Sequence, residues 1–164
     1  MGIDPGYAIL GYGIVDMKNS QFHMIDYGTI TTEAKEVMAI RLQHIYEELI
    51  KLIDLYQPDA VALEELFFNK NVKTAIMVAQ ARGVATVACV NKGLTPYEYT
   101  PLQIKQALVG YGRADKKQMQ FMVKYILSLQ ETPQPDDAAD ALATAICHGN
   151  AGTDQRKLRI RNGI

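Results

Sequence analysis

The chain has 164 residues, of which 48% are hydrophobic and 21% are charged, and these proportions are typical of one globular domain with its own core. No apolar run approaches the roughly 18 residues that a bilayer span requires, and no charged leader with a cleavage site opens the chain, so the sequence predicts a cytoplasmic protein without membrane contact. The net charge of −1 excludes a uniformly basic nucleic-acid-binding domain, and neither Cys89 nor Cys147 has a His or Cys neighbour at metal spacing, which predicts two buried thiols.

The first half of the chain predicts a meander of three strands, then a helix and a fourth strand. The opening strand ends at Asp4, where Pro5-Gly6 predicts a turn. Thr32 is the expected N-cap of an amphipathic helix, and Pro58 follows the end of that helix. The predicted elements are a strand ending at Asp4, strands over 8–15 and 22–30, a helix over 33–56 and a short buried strand ending at Glu64.

The second half predicts four helices and one more strand. These are a helix over 72–91, a strand over 96–100, and helices over 101–109, 115–129 and 136–149. Strands alternating with helices predict an α/β fold, with a central five-stranded mixed sheet flanked by helices on both faces. Residues 150–164 carry four Lys and Arg after the last predicted helix, without apolar periodicity, so we expect a domain over 1–149 and a basic, disordered tail over 150–164.

Four carboxylates lie on three separate segments, each at the end or on the small-residue face of an apolar element. Asp4 and Glu64 end predicted strands. Asp137 and Asp140 are spaced i, i+3 among alanines, so a helix presents both on one face. Mg²⁺ prefers oxygen ligands, and two such ions neutralise acids that would otherwise repel one another and stabilise both oxygens of a phosphoryl displacement. The four acids therefore predict a divalent-metal site for phosphate chemistry.

Each acid also has an ordinary structural explanation. Asp4 in Asp-Pro-Gly can be only a turn former. Glu64 is followed by Glu65, and a pair of glutamates at a strand end is commonly a solvated edge. The acids of segment 136–140 follow two prolines and can cap a helix and complement its dipole. The metal site is favoured by the conjunction of the acids and not by any one of them.

Charge is unevenly distributed along the chain. Residues 1–68 carry four Lys and Arg against eleven Asp and Glu, whereas residues 69–124 carry nine against two. A cationic segment of this kind attracts DNA backbone phosphates, although about half of such side chains are expected to be solvated helix surface and no more. The nine cations are Lys70, Lys73, Arg82, Lys92, Lys105, Arg113, Lys116, Lys117 and Lys124.

Several stretches together resemble the RuvC family of bacterial Holliday junction resolvases. They are GIDPGYAILGYGIVD (2–16), ALEELFFNKN (62–71), QARGVA (80–85) and PDDAADALATAICH (135–148). The likeness runs from residue 2 to about residue 149, with the motifs in the family's order. It implies an RNase H-like fold and a structure-selective endonuclease that resolves four-way DNA junctions in recombination and repair. The implied reaction is symmetric paired nicking through Mg²⁺-dependent phosphodiester hydrolysis.

The resemblance also assigns residues. Two Mg²⁺ ions per subunit, with Mn²⁺ as a substitute, would be held by Asp4, Glu64, Asp137 and Asp140. Asp136 is left as a helix-start charge. Lys105 and Lys116 match catalytic lysines near the scissile phosphate. Phe67 matches an aromatic that meets the junction centre, although it can pack in the core instead, because Phe68 is adjacent. The expected DNA contacts are Phe67, Lys70, Lys73, Arg82, Lys105, Arg113, Lys116 and Lys117.

The family further implies partners. Besides junction DNA, these are a second copy of the chain and the RuvA–RuvB branch-migration complex. In the homodimer the small-residue face of helix 72–91 would pack on the second copy, and packing within the chain is the alternative. Only three residues precede Asp4, fewer than the family leads us to expect, so we expect the first strand to be clipped at its start.

Two other functions fit parts of the sequence. The GIDPG turn with its glycine-bearing strand also resembles the first phosphate loop of the actin, Hsp70 and sugar kinase group, which would make the chain a nucleotide-binding enzyme. Those proteins close two lobes over ATP, whereas 164 residues make one lobe. The second alternative is a catalytically idle junction-binding module, and the complete set of four acids argues against it. His23, His44 and His148 are left without a role.

Overall fold

The computed structural model describes residues 1–65 and 72–151, and within these ranges the chain forms five strands and five helices. The strands are β1 (Gly2–Asp4), β2 (Ile9–Lys18), β3 (Gln21–Thr31), β4 (Ala62–Glu64) and β5 (Tyr97–Tyr99). The helices are α1 (Met38–Tyr56), α2 (Val72–Asn91), α3 (Pro101–Val109), α4 (Lys116–Ile126) and α5 (Asp136–Ala151). The strand order is β3-β2-β1-β4-β5, with antiparallel pairing from β1 to β3 and parallel pairing from β1 to β5. The predicted five-stranded mixed sheet is confirmed.

The parallel half of the sheet sets β1 and β4 side by side. Ile3 lies beside Leu63, so the next residues, Asp4 and Glu64, reach the same edge of the sheet. Ile3 and Leu63 are fully buried. Apolar residues are expected inside such strands, because helices cover both faces of the sheet and side chains on either face are shielded from water.

Helices do cover both faces, as the sequence predicts. On one face α1 and α2 pack against the sheet, where Ile45 and Leu49 of α1 and Ala85 of α2 join Ile3 and Leu10 in the core. The apolar stripe of α1 explains its orientation, because residues four apart lie on one side of a helix. On the other face α3, α4 and α5 surround a second group of buried residues, which includes Ala62, Tyr99, Ile104, Val123, Leu142 and Ile146.

The helix α5 lies unusually close to the sheet because small residues face each other across the contact. Most of α5 is alanine-rich and buried, and its backbone passes over Gly2, Gly11 and Gly13. A Cβ atom at Gly11 would collide with the main-chain carbonyl of Asp137, and a Cβ atom at Gly13 would lie 2.8 Å from Leu142 Cδ2. Glycine is needed here because the approaching backbone leaves no room for a side chain. This packing sets the position of the first turn of α5 above β1 and β2.

The helix α1 begins at Met38, whereas the sequence pattern predicts a start at residue 33 with Thr32 as the N-cap. The Thr32 hydroxyl donates to the Tyr7 carbonyl at 2.7 Å and accepts from Arg41 Nε at 2.8 Å. Its backbone N–H bonds to the Ala8 carbonyl at 3.0 Å, next to the end of β3. Thr32 therefore ties a loop to the sheet and does not cap the helix, because partners distant in sequence take its hydrogen bonds.

The remaining helix boundaries follow local capping. Thr100 and Gln103 form a capping box at the start of α3, and Asp115 and Gln118 form another at the start of α4. The helix α4 ends at Ile126 instead of 129, and α5 continues to Ala151 instead of 149. The tail beyond lies outside the described residues, so the division of the chain at residue 149 stays a prediction.

Two further expectations concern thiols and membranes. Cys89 and Cys147 are buried free cysteines, as predicted. None of the helices described between residues 1 and 151 is both long enough and apolar enough to cross a bilayer.

Candidate active site

The carboxyl ends of the parallel neighbours β1 and β4 bring Asp4 and Glu64 to one edge of the sheet. The third acidic segment arrives over the adjacent strand. Gly11 of β2 pairs with Asp4 in the sheet and lies directly under the main chain of Asp137. The first turns of α5 are thereby placed beside Asp4, with Asp140 one turn after Asp137. In open α/β sheets this carboxyl edge is where functional groups collect.

The pKa values of the acids show that they interact. Burial, together with the charges of Glu64, Asp140 and Asp137, raises the pKa of Asp4 to about 7. Burial, with a smaller contribution from the charge of Asp140, likewise raises the pKa of Glu64 to about 7. Acids in a shared, partly desolvated site repel one another when ionised, so a bound cation would relieve the repulsion.

Two lysines line the same small cleft as two of the acids. The cleft has a volume of about 210 Å³ and includes Glu64, Lys105, Lys116 and Asp140 in its walls. The Lys116 Nζ atom lies 3.5 Å from Asp140 Oδ2 and 3.0 Å from Asp136 Oδ2. Burial raises the pKa of Asp140, while the charge and hydrogen bond of Lys116 oppose the increase. The structure thus brings Lys105 and Lys116 together with Glu64 and Asp140, whereas Asp4 and Asp137 are not among the residues that line this cleft.

The family of the chain follows from its sequence. The sequence model described as "Crossover junction endodeoxyribonuclease RuvC" matches residues 1–148. The chain belongs to the RuvC family. Crossover junction endodeoxyribonuclease RuvC of Finegoldia magna is 62% identical over 148 residues, which are 90% of each chain. The protein of the same name from Clostridioides difficile is 56% identical over 163 residues, which are 99% of this chain and 96% of the relative.

Solved structures of the RuvC family share this fold. Thermus thermophilus RuvC matches with a TM-score of 0.87 and 35% identity, over 94% of this chain and 95% of that chain. A second structure, T. thermophilus RuvC in complex with Holliday junction substrate, matches with a TM-score of 0.85 and 33% identity, over 93% of both chains. The fold is RNase H-like, and the predicted RuvC resemblance is confirmed. RuvC proteins are metal-dependent nucleases. Membership of this family therefore favours a nuclease over the nucleotide-binding enzyme that the likeness to the phosphate loop of actin and sugar kinases suggested.

The donor set fits a hard divalent cation of the kind that a RuvC nuclease requires. All four acids predicted as ligands offer carboxylate oxygens, which Mg²⁺ and Mn²⁺ accept. Among residues 1–65 and 72–151, however, no three Asp, Glu, His or Cys side chains stand close enough to share an ion as they are placed. The charges of neighbouring acids raise the pKa of Asp4, and Lys116 provides part of the compensating charge. We expect the carboxylates to rotate inward when a cation neutralises them.

Of the other DNA contacts expected from the RuvC resemblance, Arg82 has a partner within the fold. Its guanidinium NH2 lies 2.6 Å from Glu98 Oε1, which links α2 to β5. Its Nε is buried with no hydrogen-bond partner in the described part of the chain. This ion pair makes Arg82 less available to a phosphate than an exposed lysine.

The remaining predicted cations differ from Arg82. Within the described ranges, none of Lys73, Lys105, Arg113 and Lys117 lies within 4.0 Å of a carboxylate oxygen. Phe67, its neighbour Phe68 and Lys70 lie outside the described residues, so their predicted roles at the junction stay predictions.

His148 does not line the cleft that contains Glu64, Lys116 and Asp140. Its Nδ1 atom lies 2.8 Å from the Tyr99 hydroxyl, its ring centroid lies 4.4 Å from that of Tyr97, and burial lowers its pKa. A larger cleft of about 480 Å³ borders His148 and Asp16 near the amino ends of β1 and β4. Size does not identify the candidate active site here, because Glu64 and Asp140 line the smaller cleft, together with both predicted lysines.

One contact of the site was not predicted from the sequence. Gln120 of α4 donates through Nε2 to Asp136 Oδ1 at 2.7 Å, and Asp136 also pairs with Lys116. The only available signal was the i, i+4 spacing of Lys116 and Gln120, which places both on one side of a helix. Their common partner is decided by the packing of α4 against α5.

Proposed function

We propose that this chain resolves Holliday junctions as a structure-selective endonuclease, by symmetric paired nicking of two strands in recombination and repair. The observation that carries the proposal is the meeting of Asp4, Glu64 and the first turns of α5 at one sheet edge, beside Lys105 and Lys116. The relative from T. thermophilus, with the same fold, is described in complex with a Holliday junction substrate, which supports four-way DNA as the substrate.

We infer that the four acids hold two Mg²⁺ ions per subunit and that Mn²⁺ can substitute. Support comes from the all-carboxylate donor set and from the mutual influence of the acids on their pKa values. When bound, such ions polarise the scissile phosphate and lower the pKa of an attacking water. The four ligands are Asp4, Glu64, Asp137 and Asp140.

The protein's own side chains orient and stabilise the reacting groups. Carboxylate oxygens at the end of β1 and β4 can accept hydrogen bonds from the attacking water and direct it toward the phosphate. Lys105 and Lys116 line the same cleft, where their ammonium groups would stabilise negative charge that grows on the phosphate oxygens in the transition state. Ile104 and Met119 contribute apolar side chains to the wall of the cleft.

Replacing Lys116 by Ala is expected to slow single-turnover cleavage by roughly ten- to a hundredfold, and to weaken junction binding by less than about threefold. Lys116 is half-exposed, so its effect should be smaller than that of a fully buried donor. Rates and junction affinities measured on the same preparation would separate the two effects. An equal loss of rate and affinity would make Lys116 a plain phosphate contact.

The DNA surface is proposed to extend from the cleft over the cationic residues that have no carboxylate partner in the described ranges. Lys73, Lys105, Arg113 and Lys117 would contact backbone phosphates, with release of counterions from the DNA. Phe67 is proposed to stack on an unpaired base at the crossover, and Lys70 to contact a nearby phosphate. Because Arg82 pairs with Glu98, we rank it last among the proposed contacts.

Nicking of a synthetic four-way junction tests the proposed function. With Mg²⁺ we expect paired nicks near the crossover of the junction and none in a linear duplex of matched sequence, and chelation of the metal should stop the reaction. Tight junction binding without nicks in either metal would favour the catalytically idle module instead. A readout of both strands in one molecule would show whether the two nicks are symmetric.

We propose that the chain acts as a homodimer through the exposed apolar side of α2, since Ala81 of the predicted small-residue face is fully buried within the chain. Four apolar side chains of this helix are exposed in the single chain, and they lie on the same side of the helix as Gly83, whose added Cβ would meet nothing within 4 Å. Such a stripe on a helix is typical of a surface that packs on another protein. The exposed residues are Val72, Ile76, Val87 and Val90.

Replacing Ile76 by Asp is expected to convert the dimer to a monomer at micromolar concentration, because an unpaired charge in an apolar interface costs roughly several kcal/mol. Sedimentation equilibrium measures the result. Phe121→Asp is the matched control, since Phe121 is equally exposed but lies on α4, on the other face of the sheet. A dimer that survives Ile76→Asp would exclude this face of α2 as the interface.

The remaining expectations extend this proposal. We propose that the RuvA–RuvB branch-migration complex presents the junction to the dimer, and that the protein works in the cytoplasm, where the DNA lies. We also propose residues 1–149 as the nuclease domain. The basic residues from 150 to 164, which include Arg156, Lys157, Arg159 and Arg161, would add a sequence-independent attraction to DNA.

A further inference from the structure

Asp136 uses both of its carboxylate oxygens in contacts with α4. Its Oδ2 lies 3.0 Å from Lys116 Nζ, and its Oδ1 accepts a hydrogen bond from Gln120 Nε2 at 2.7 Å. Lys116 and Gln120 are one helical turn apart, so they present their side chains on the same side of α4. Asp136 is the first residue of α5 and thus joins the two helices that border the cleft.

The ammonium group of Lys116 contacts two acids, of which only one is a proposed metal ligand. Asp140, 3.5 Å away, is one of the proposed metal ligands, whereas Asp136 lies outside that set. In the described ranges no other carboxylate lies within 4.0 Å of Lys116 Nζ. If Asp140 held a cation, Asp136 would be the carboxylate partner that remains for Lys116.

We propose that Asp136 is a positioning residue, which holds Lys116 Nζ at the cleft so that it faces the scissile phosphate, while Gln120 fixes the orientation of the Asp136 carboxylate. This inference depends on the proposed role of Lys116 in cleavage. Asp136 itself touches neither the substrate nor the metal in this arrangement. Its effect on the reaction passes through Lys116.

Two properties of the contact favour a positioning role over a contribution to stability. The side chains of Lys116 and Asp136 are 54% and 48% exposed, and ion pairs so accessible to water contribute little to the free energy of folding. A negative charge that only complements the helix dipole does not require a hydrogen bond from another helix, whereas Asp136 accepts one from Gln120 of α4.

The first test compares cleavage rates. Asp136→Asn is expected to slow single-turnover cleavage by roughly three- to tenfold, because a loosely held ammonium spends less time at the phosphate, with junction affinity changed by less than about twofold. Asp136→Glu keeps the charge and should recover most of the rate. In a Lys116→Ala background Asp136→Asn should cause no further loss, since the residue that it positions is gone.

The second test does not use activity. In metal-free protein labelled with ¹³Cε-lysine, the resonance of Lys116, identified by its disappearance in Lys116→Arg, should shift in Asp136→Asn and in Gln120→Ala. Asp54→Asn is the matched control, because Asp54 forms an exposed ion pair with Lys92 on the other face of the sheet. That variant should move the Lys92 resonance, leave the Lys116 resonance in place and cleave at the rate of the unmodified protein.

Several outcomes would overturn the inference. An unchanged Lys116 resonance in Asp136→Asn would show that Asp136 does not hold the lysine. An equal loss of rate in the presence and absence of Lys116, together with a lower melting temperature, would make Asp136 a helix-start charge only. If Lys116→Ala cleaves at full rate, the proposed catalytic role of Lys116 is wrong. Asp136 then cannot influence the reaction through Lys116, even if the resonance shift shows that the two residues are in contact.

Discussion

Replacing Glu64 by Gln is expected to lower the rate of junction cleavage by roughly a thousandfold or more, because about 4 kcal/mol of transition-state stabilisation is lost with one metal-binding carboxylate. The amide keeps the size of the side chain and one oxygen but removes the charge that attracts the cation. Junction affinity should change by less than about threefold, since the cationic surface that attracts the phosphates is untouched. Single-turnover nicking and a binding assay in the absence of Mg²⁺ measure the two quantities.

Glu65→Gln is the matched control for Glu64→Gln. The two residues are adjacent and identical in type, but alternation along an extended chain directs successive side chains to opposite faces. We therefore expect Glu65→Gln to cleave at nearly the rate of the unmodified protein. Retained cleavage in Glu64→Gln would contradict the assignment of the metal site. Loss of junction binding in Glu64→Gln, with no change in the unfolding transition, would give Glu64 a direct part in binding DNA.

Replacing Gly11 by Ala is expected to reduce both stability and cleavage. The new Cβ would collide with the main-chain carbonyl of Asp137, which cannot turn aside as a side chain can. Overpacking of this kind lowers the free energy of unfolding by about 1–3 kcal/mol. A displacement of about 1 Å in the first turn of α5 would move Asp137 and Asp140 away from Asp4, and misplacement on that scale lowers a rate by roughly a hundredfold.

Gly13→Ala provides the comparison for Gly11→Ala. Its Cβ would lie 2.8 Å from the Leu142 side chain, and Leu142 lies further along α5 than the proposed ligands. Both variants should be destabilised in chemical denaturation, but at a temperature where both are folded Gly11→Ala should lose far more cleavage. Equal losses of cleavage would mean that the whole of α5, and not its first turn, responds to the added methyl group. Full activity of a folded Gly11→Ala protein would contradict the positional argument.

Most of the fold can be predicted from local patterns. Apolar residues at helical spacing predict α1, and glycines and prolines between short apolar runs predict the strands. The starts of α3 and α4 follow from capping residues that act within one turn. The prediction of Thr32 as the N-cap of α1 was wrong because its hydrogen bonds are not local. Its partners Tyr7 and Arg41 lie in a strand connection and in the next helix. Local propensity cannot anticipate a hydrogen bond that exists only after the sheet has formed.

The candidate site divides in the same way. The identities of Asp4, Glu64, Asp137 and Asp140 and the order of the motifs around them were enough to predict a RuvC-like metal site, and family membership is confirmed. Their proximity depends on the parallel pairing of β1 with β4 and on the glycines that let α5 approach. The sequence alone does not give these distances, because Asp4 and Glu64 are 60 positions apart along the chain.

Charged residues show what the tertiary structure alone decided. Arg82 and Lys117 belong to the same cationic segment of the sequence, yet Arg82 pairs with Glu98 and Lys117 has no carboxylate partner in the described ranges. Asp136 reads as a helix-start charge in the sequence, and only the packing of α4 on α5 places it between Lys116 and Gln120. Secondary structure and chemical class are local properties of the chain, whereas the partner of a charge depends on which distant segment the core brings beside it.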